Sequence, residues 1–439
     1  MIDYGTIESV LEARRAWAVV AGDSMDVMRS MPEESVHLVV TSPPYWTLRN
    51  YGIEGRIWQG PRELCERHSW KEVRAIRGSG GTDRNPERNR RRKIRPPSDV
   101  KSQTCNRCGA WKGVLGDEPD PKLFAYHLVL FFREVRRVLR SDGSCWVNLG
   151  DAYNGSGGSG GDYAKGGLRE GQRKYGKKNS RELKRKDKAL SPHEFALYAR
   201  EPWLTCEHCG RENHRKLWWN PMGYADWYCP ACLKPGEPKM TELGWWIRQD
   251  NVWDKPNSSL DSTMDRTGVA HEYVFHMTKA EKGNFFSPYG FLEQKADATD
   301  TLGKRVRSVW RMSPRTGGHN HHAAYPIELP ERAIKLGTPE RVCMECNAPI
   351  KPYYLNCVEG FNEDQVTLDR RLIASFKTCE HAGANTAPPI VLDPFLGTGT
   401  TLIASHMFDR RAIGIELSPD HAATAATRMS TVLPMFAQI

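Results

Sequence analysis

The stretch Ile390-Val391-Leu392-Asp393-Pro394-Phe395-Leu396-Gly397-Thr398-Gly399-Thr400-Thr401 carries the fold of this chain. Three apolar residues lead into a loop with two glycines, and an apolar helix pattern, Leu402–Phe408, follows. This is a buried strand, a tight backbone turn and a helix whose N-terminus faces the turn. The ending Gly-Lys-Ser/Thr of a phosphate-binding loop is absent, and so is the three-glycine dinucleotide fingerprint. A second strand, Ala412–Glu416, ends on an acid, where carboxylates commonly receive ribose hydroxyls. The last helix is expected over Pro419–Leu433.

The same strand-then-loop pattern stands near the start of the chain. Val36-His37-Leu38-Val39-Val40 runs into Thr41-Ser42-Pro43-Pro44-Tyr45. Two prolines fix the backbone and remove two N–H donors, so the carbonyls there are free to accept. A hydroxyl, a fixed carbonyl and an aromatic face suit a planar ring bearing an amino group. Standing alone, the segment would read as an ordinary proline turn. Upstream, Ala16–Val20 and Ser24–Met31 form a strand and a helix around Gly22-Asp23. Downstream, Pro121–Leu139 is an amphipathic helix closed by Ser141-Asp142-Gly143, with the strand Ser144–Leu149 behind it. Periodic structure resumes over Glu242–Asn257 and Glu272–Met277. Strands alternating with helices predict an α/β fold with a mostly parallel central sheet.

Between these blocks lie segments of another character. The chain has 439 residues, a net charge of +10 and 12 cysteines. Arg84–Arg95 and Arg173–Lys188 are dense in Arg and Lys; solvated loops would explain them, but their place inside inserted segments favours contact with phosphates. No stretch is apolar and long enough to span a bilayer, and Met1-Ile2-Asp3-Tyr4 has no signal character, so a cytoplasmic protein is expected. Cysteines in that compartment point to metal rather than disulfides. Cys206-x2-Cys209 with Cys229-x2-Cys232 is a four-thiolate zinc pattern. Cys65-x2-His68 is expected to join Cys105-x2-Cys108. Cys343-x2-Cys346 is expected to join Cys379 and His381, with Cys357 as a competing ligand. About three structural zinc ions follow, stapling inserts that lack a sizeable core. Trp218, Trp219 and Trp227 could contact bases, but packing around the second zinc is the plainer expectation.

Together the two loops resemble those of the beta-class amino-methylating DNA methyltransferases, which modify cytosine N4 or adenine N6. That family reads Ser/Asn/Asp-Pro-Pro-aromatic first and Asp-Pro-Phe-x-Gly-x-Gly-Thr-Thr last, and this chain has that order. The likeness extends to Ala21–Met25, Arg136–Asp151, Trp246–Asn257, His271–Val274, His321–Pro326 and Asp393–Pro419, about half the chain. It implies a Rossmann-like methyltransferase fold in circularly permuted order, with zinc-binding inserts. It implies an S-adenosylmethionine site lined by Asp393, Phe395, Gly397, Gly399, Thr400 and Thr401, with Glu416 on the ribose and Asp23 near the adenine amino group. His322, Ala324, Tyr325 and Pro326 would wrap the methionine end. Ser42, Pro43, Pro44 and Tyr45 would hold a base flipped out of double-stranded DNA, without a cysteine nucleophile.

Ser at the first catalytic position is commonest in the family's cytosine-N4 enzymes, so cytosine N4 is expected, with adenine N6 as the alternative. A zinc-stapled DNA-binding protein keeping an inactive methyltransferase fold is the alternative of another class. A companion restriction nuclease would fit a restriction-modification role. The expected organisation is catalytic core at 1–60, 121–153, 241–340 and 389–439. A basic zinc insert at 61–120, a target-recognition segment at 154–240 and a third Cys/His insert at 341–388 separate these parts.

Overall fold

A computed structural model describes residues 4–46, 55–60, 62, 64–72, 103–155, 180, 183–220, 227–258, 265–293, 304–314, 325–362, 365–381 and 383–436. They form two compact units. Met1–Pro43, Arg133–Asn148 and Trp246–Ile439 make the first, and Pro44–Phe132 with Leu149–Trp245 make the second.

The first unit is built on an eight-stranded sheet: β1 (Trp17–Ala21), β2 (Val36–Thr41), β3 (Leu139–Leu149), β4 (Trp246–Asp254), β5 (His271–Thr278), β6 (Val309–Arg311), β7 (Ile390–Asp393) and β8 (Arg411–Glu416). Their order across the sheet is β1-β8-β7-β2-β3-β5-β4-β6. From β1 to β3 every neighbouring pair is parallel. Asn148, near the end of β3, donates to Glu272, near the start of β5, so β5 runs against β3. β4 is antiparallel to β5 and parallel to β6, which restores the common direction. The sheet is therefore mostly parallel, as the alternation of strands and helices predicts.

β2 lies between β7 and β3, and all six of its residues are buried. That position explains its unbroken apolar run, since a central parallel strand is covered on both faces. The chain leaves β7 toward β8 on one side, while β3 lies on the other side of β2. β7 and β2 thus meet where the winding order reverses, and the loops after them open side by side at the carboxyl edge, the usual ligand position in such sheets.

β3 begins earlier than its sequence suggests. The helix Pro121–Val138 passes directly into it, with Leu139 opposite Val36. The register then jumps to Ser144 opposite Leu38, so Arg140–Gly143 bulge from the ladder. Arg140 and Asp142 close the bulge with paired hydrogen bonds of 2.8 and 2.9 Å. A Cβ at Gly143 would stand 2.7 Å from the His37 carbonyl, which is why glycine sits there. The segment expected only as a third Cys/His insert holds a long hairpin, Ile350–Asn362 against Gln365–Lys377. Cys357 lies opposite Asp369 in that ladder; its side chain falls outside the described residues.

The second unit contains a four-stranded sheet of Arg56–Trp58, Trp111–Gly113, Gln103–Cys105 and Trp70–Glu72, and a three-stranded sheet of Lys239–Glu242, Trp203–Thr205 and Glu212–His214. The helix Ser191–Ala199 is capped from a distance: Asp151 accepts from the Ser191 N–H and hydroxyl, both at 3.1 Å. Trp218 is buried with Leu204, Cys206 and Cys229. Trp227 lies under the Arg215 guanidinium at 3.6 Å, whereas Trp219 is 59% exposed. Core packing thus accounts for Trp218 and not for Trp219. Arg84–Arg95 and most of Arg173–Lys188 lie outside the described residues. Among the described residues, no helix is long and apolar enough to cross a membrane.

Candidate active site

In the first unit the two loops meet through one carboxylate. Asp393 ends β7 and is 1% exposed. Its Oδ1 accepts from the Thr41 hydroxyl at 2.7 Å, across 352 residues of chain, and from the Phe395 N–H at 3.1 Å. Its Oδ2 accepts from the Tyr325 hydroxyl at 3.0 Å and from the Thr401 hydroxyl. Burial pushes the Asp393 carboxyl above the ordinary carboxylate range, although these four donors pull it back. The Tyr325 hydroxyl is raised well above its usual value, first by burial and then by the Asp393 charge. Asp393 is therefore a fastener: it ties the end of β2, the glycine loop, the following helix and Tyr325 together. Pro326, also buried, accepts from the Leu329 N–H and starts the helix Glu328–Gly337.

The glycine loop turns twice through left-handed backbone, at Gly397 (φ +56°) and Gly399 (φ +87°). A Cβ at Gly399 would meet Ala425 at 3.0 Å, so both strain and space require glycine. The helix Thr400–Met407 begins immediately after it. Thr400 Oγ1 is buried with no hydrogen-bond partner among the described residues. Such an atom, at the positive end of a helix, is suited to a polar ligand.

Glu416 ends β8 beside this loop. Its Oε2 accepts from the Gly397 N–H at 2.8 Å and its Oε1 from the Ser418 N–H at 2.9 Å. Burial alone would raise its pKa, but hydrogen bonds from His421, Ser418 and Gly397 outweigh that and hold it below the usual range. An ionised carboxylate with lone pairs to spare can receive vicinal hydroxyls. Asp23 caps the helix Ser24–Ser30, its Oδ1 accepting from the Met25 N–H at 2.9 Å. The Ser24 hydroxyl donates to the Pro394 carbonyl at 2.5 Å, which fixes that helix against the glycine loop. These groups fit a nucleoside ligand: a cradle of close-approach glycines, a ribose-type acid, an orphan hydroxyl and the half-buried Phe395 ring. His322 and Ala324 fall outside the described residues.

Ser42 and Pro43 follow Thr41 directly, so the Thr41–Asp393 bond sets them next to β7. A network that sequence reasoning missed lies at the same edge of the sheet. The Asn148 amide donates to Glu272 at 2.8 Å, Glu272 pairs with Lys255, and the Lys255 ammonium sits 4.2 Å from the Trp253 ring centre. The blocks carrying these residues stood out in the sequence, but the charge pairing needs the antiparallel placement of β5.

The second unit holds Pro44 and Tyr45. A Cβ at Gly116 (φ +93°) would stand 2.9 Å from the Tyr45 carbonyl, so this glycine packs directly behind the loop. The Gly116 N–H donates to Glu118 Oε2 at 2.8 Å, and the Trp46 indole N–H donates to the Glu118 carbonyl at 3.0 Å. Glu118 Oε1 lies 3.0 Å from His127 Nδ1, both side chains at 1% exposure or less. The His127 ring stacks between Trp58 (4.9 Å) and Trp111 (5.1 Å). In sequence His127 merely interrupts an apolar helix face. Glu118→Ala would strand His127 and the Gly116 N–H. It is expected to cost about 2–5 kcal/mol of unfolding free energy, read as a lower urea midpoint. Glu118→Gln retains an acceptor and should cost less; equal losses would refute the hydrogen-bonded role.

All twelve expected metal ligands come together in the expected sets: Cys65, His68, Cys105 and Cys108; Cys206, Cys209, Cys229 and Cys232; Cys343, Cys346, Cys379 and His381. Within each set the four ligand atoms lie within 4.8 Å of one another.

The chain is similar to known proteins along most of its length. Residues 36–344 and 377–427 match the DNA methylase family N6_N4_Mtase. The chain is 25% identical over 412 residues to the Type II methyltransferase M.Cfr9I of Citrobacter freundii, covering 93% of this chain and 86% of that protein. It is 23% identical over 436 residues to the Type II methyltransferase M.SmaI of Serratia marcescens, covering 97% and 95%. Among solved structures, the cytosine-N4-specific PvuII DNA methyltransferase aligns at a TM-score of 0.44 and 15% identity, covering 94% of this chain and 86% of that one.

Proposed function

The chain belongs to the N6/N4 DNA methylase family, and on that premise we propose that it methylates cytosine N4 at a specific site in double-stranded DNA, with S-adenosylmethionine as donor. The observation that carries this reading is the Thr41–Asp393 hydrogen bond, which sets Ser42 and Pro43 against the glycine loop. The donor supplies an electrophilic methyl group on a sulfonium sulfur. Gly397, Gly399, Thr400 and Thr401 cradle it, Glu416 receives its ribose hydroxyls, and Asp23 and Phe395 border its adenine. Tyr325 and Pro326 border its methionine end.

A flipped base enters against Tyr45. The Ser42 hydroxyl oxygen and the Pro43 carbonyl accept the two amino protons. That draws electron density onto the amino nitrogen and aims its lone pair at the methyl carbon. With the donor bound, the methyl group would pass to this nitrogen as the C–S bond breaks, S-adenosylhomocysteine would be the leaving group, and the extra proton on nitrogen would go to solvent. Positioning does most of the work, so no covalent enzyme intermediate is needed. Pro44 stiffens the loop.

Ser42 supports cytosine over adenine, because Ser at this position is commonest among the family's cytosine-N4 enzymes. The Type II names of the relatives support a place in a restriction-modification pair. The net charge of +10 and the two basic runs suit phosphate contact. Incubation of the protein with duplex DNA and methyl-labelled cofactor, followed by digestion and nucleoside mass spectrometry, tests the reading. N4-methylcytosine is the expected product. N6-methyladenine would overturn the choice of base, and unlabelled DNA of varied sequence would overturn the activity.

A further inference from the structure

Four Cys-x2-Cys turns in this chain share one backbone design. In each, the N–H of the first cysteine donates to the carbonyl five residues on: Cys105 to Ala110 (2.7 Å), Cys206 to Arg211 (2.9 Å), Cys229 to Lys234 (3.1 Å) and Cys343 to Ala348 (3.0 Å). In each, the residue after the second cysteine donates back to the first cysteine's carbonyl. That residue is always left-handed: Gly109 (φ +74°), Gly210 (φ +67°), Leu233 (φ +60°) and Asn347 (φ +57°). For leucine this conformation costs about 1–2 kcal/mol, so something offsets it. The turns aim both sulfurs at one point.

The spacing of the sulfurs says what that point holds. Cys206–Cys232 and Cys209–Cys229 are each 3.8 Å apart, and Cys65 is 3.5 Å from Cys105 and 3.6 Å from Cys108. A disulfide needs about 2.05 Å. A tetrahedron with metal–sulfur bonds of about 2.3 Å has edges of about 3.8 Å. Nδ1 of His68 lies 3.3 Å from the Cys65 sulfur, and Nδ1 of His381 lies 3.9 Å from that of Cys343. Four closed ligands leave no open position, the pattern of a structural rather than a catalytic ion.

The fourth turn, that of Cys343 in the third set, is joined to the large sheet. The carbonyl of Asn347, its left-handed residue, accepts from Nε2 of His37 at 3.3 Å. Nδ1 of the same ring accepts from the Ile390 N–H at 3.1 Å. His37 lies in β2 four residues before Thr41, and Ile390 opens β7 three residues before Asp393. The imidazole thus ties the metal turn to both strands that carry the active-site loops.

We propose that each of the three sets binds a zinc ion, and that the zinc held by Cys343, Cys346, Cys379 and His381 braces β2 and β7 through Asn347 and His37. The brace takes its functional meaning from the active-site reading above, but zinc content and amide exchange are measured without methyl transfer and stand or fall apart from it. Metal analysis of the full chain, produced without a metal-binding tag, should give three zinc ions per chain. Fewer than three, or iron in their place, overturns the metal assignment. Cys346→Ser should remove one ion and speed hydrogen exchange at the Ile390 amide by at least about tenfold. Cys209→Ser, which removes an ion from the second set, should leave Ile390 unchanged. If Cys346→Ser does not fold, the same exchange measurement on the wild-type chain before and after chelation replaces it. Loss of the third zinc with Ile390 protection intact overturns the brace.

Discussion

Ser42→Ala is expected to lower kcat for methyl transfer by on the order of 100-fold while the dissociation constant for S-adenosylmethionine stays within about a factor of two. The asymmetry follows from placement. The proposed donor site is the glycine loop, the helix beginning at Thr400 and Glu416, and it is held in shape by the bonds of Phe395 and Thr401 to Asp393 and of Gly397 and Ser418 to Glu416. Thr41, one residue earlier, makes the structural bond to Asp393, so alanine at 42 leaves the joint between the loops in place. What alanine removes is one of the two acceptors proposed to face the target amino group. With the Pro43 carbonyl alone, the amino group is free to rotate toward planarity and its lone pair is no longer aimed. Single-turnover transfer with saturating cofactor, alongside calorimetric titration of the cofactor, separates the two effects. Weakened cofactor binding with transfer at the wild-type rate would overturn the assignment of Ser42 to the base.

The parts of this site that were legible in the sequence are the parts whose chemistry is local. A loop such as Asp393–Thr401 needs glycines at fixed offsets and an acid at its start, and a metal turn needs two cysteines three apart, so each leaves a short signature. The joints between such parts leave none. His37 looks like a flaw in an apolar strand until Asn347 and Ile390 are seen on its two nitrogens. There burial and the nearby Arg140 charge lower its pKa to about 3, so it serves as a neutral donor and acceptor. Glu118 and His127 are nine residues apart, yet nothing in that spacing announces a pair stacked between Trp58 and Trp111. The bulge at Arg140–Gly143 escaped notice because Ser-Asp-Gly is also a good helix stop; only the ladder with β2 decides between the two. The hairpin Ile350–Lys377 was hidden for a related reason: strand pairing is set by partners, and its cysteine-bearing flanks drew the reading toward metal.

Asp393→Ala should differ from Ser42→Ala in kind, because it removes a joint rather than a contact. The carboxylate gathers hydroxyls from Thr41, Tyr325 and Thr401 and the N–H of Phe395. Without it, Tyr325 and Thr401 can still bond to each other, since their hydroxyls already meet, but Thr41 and the Phe395 N–H lose their acceptor in a buried site. A loss of about 2–4 kcal/mol in unfolding free energy is expected. Cofactor affinity should fall at least about tenfold, or about 1.4 kcal/mol, and transfer should fall with it, since the same residue positions both loops. The pH dependence has a definite sign. Burial raises the folded-state pKa of Asp393, so its contribution is fully present below the unfolded-state value and is lost as pH rises through the folded one. The stability gap between wild type and Asp393→Ala should therefore be widest in acid and shrink toward neutrality, the reverse of a salt-bridged carboxylate. Urea unfolding at a series of pH values measures this gap directly. A gap that widens as pH rises would mean that the four donors outweigh burial and that Asp393 is held as a stabilised anion. Retained cofactor affinity in the folded variant would show that the glycine loop keeps its shape without its tie to β2.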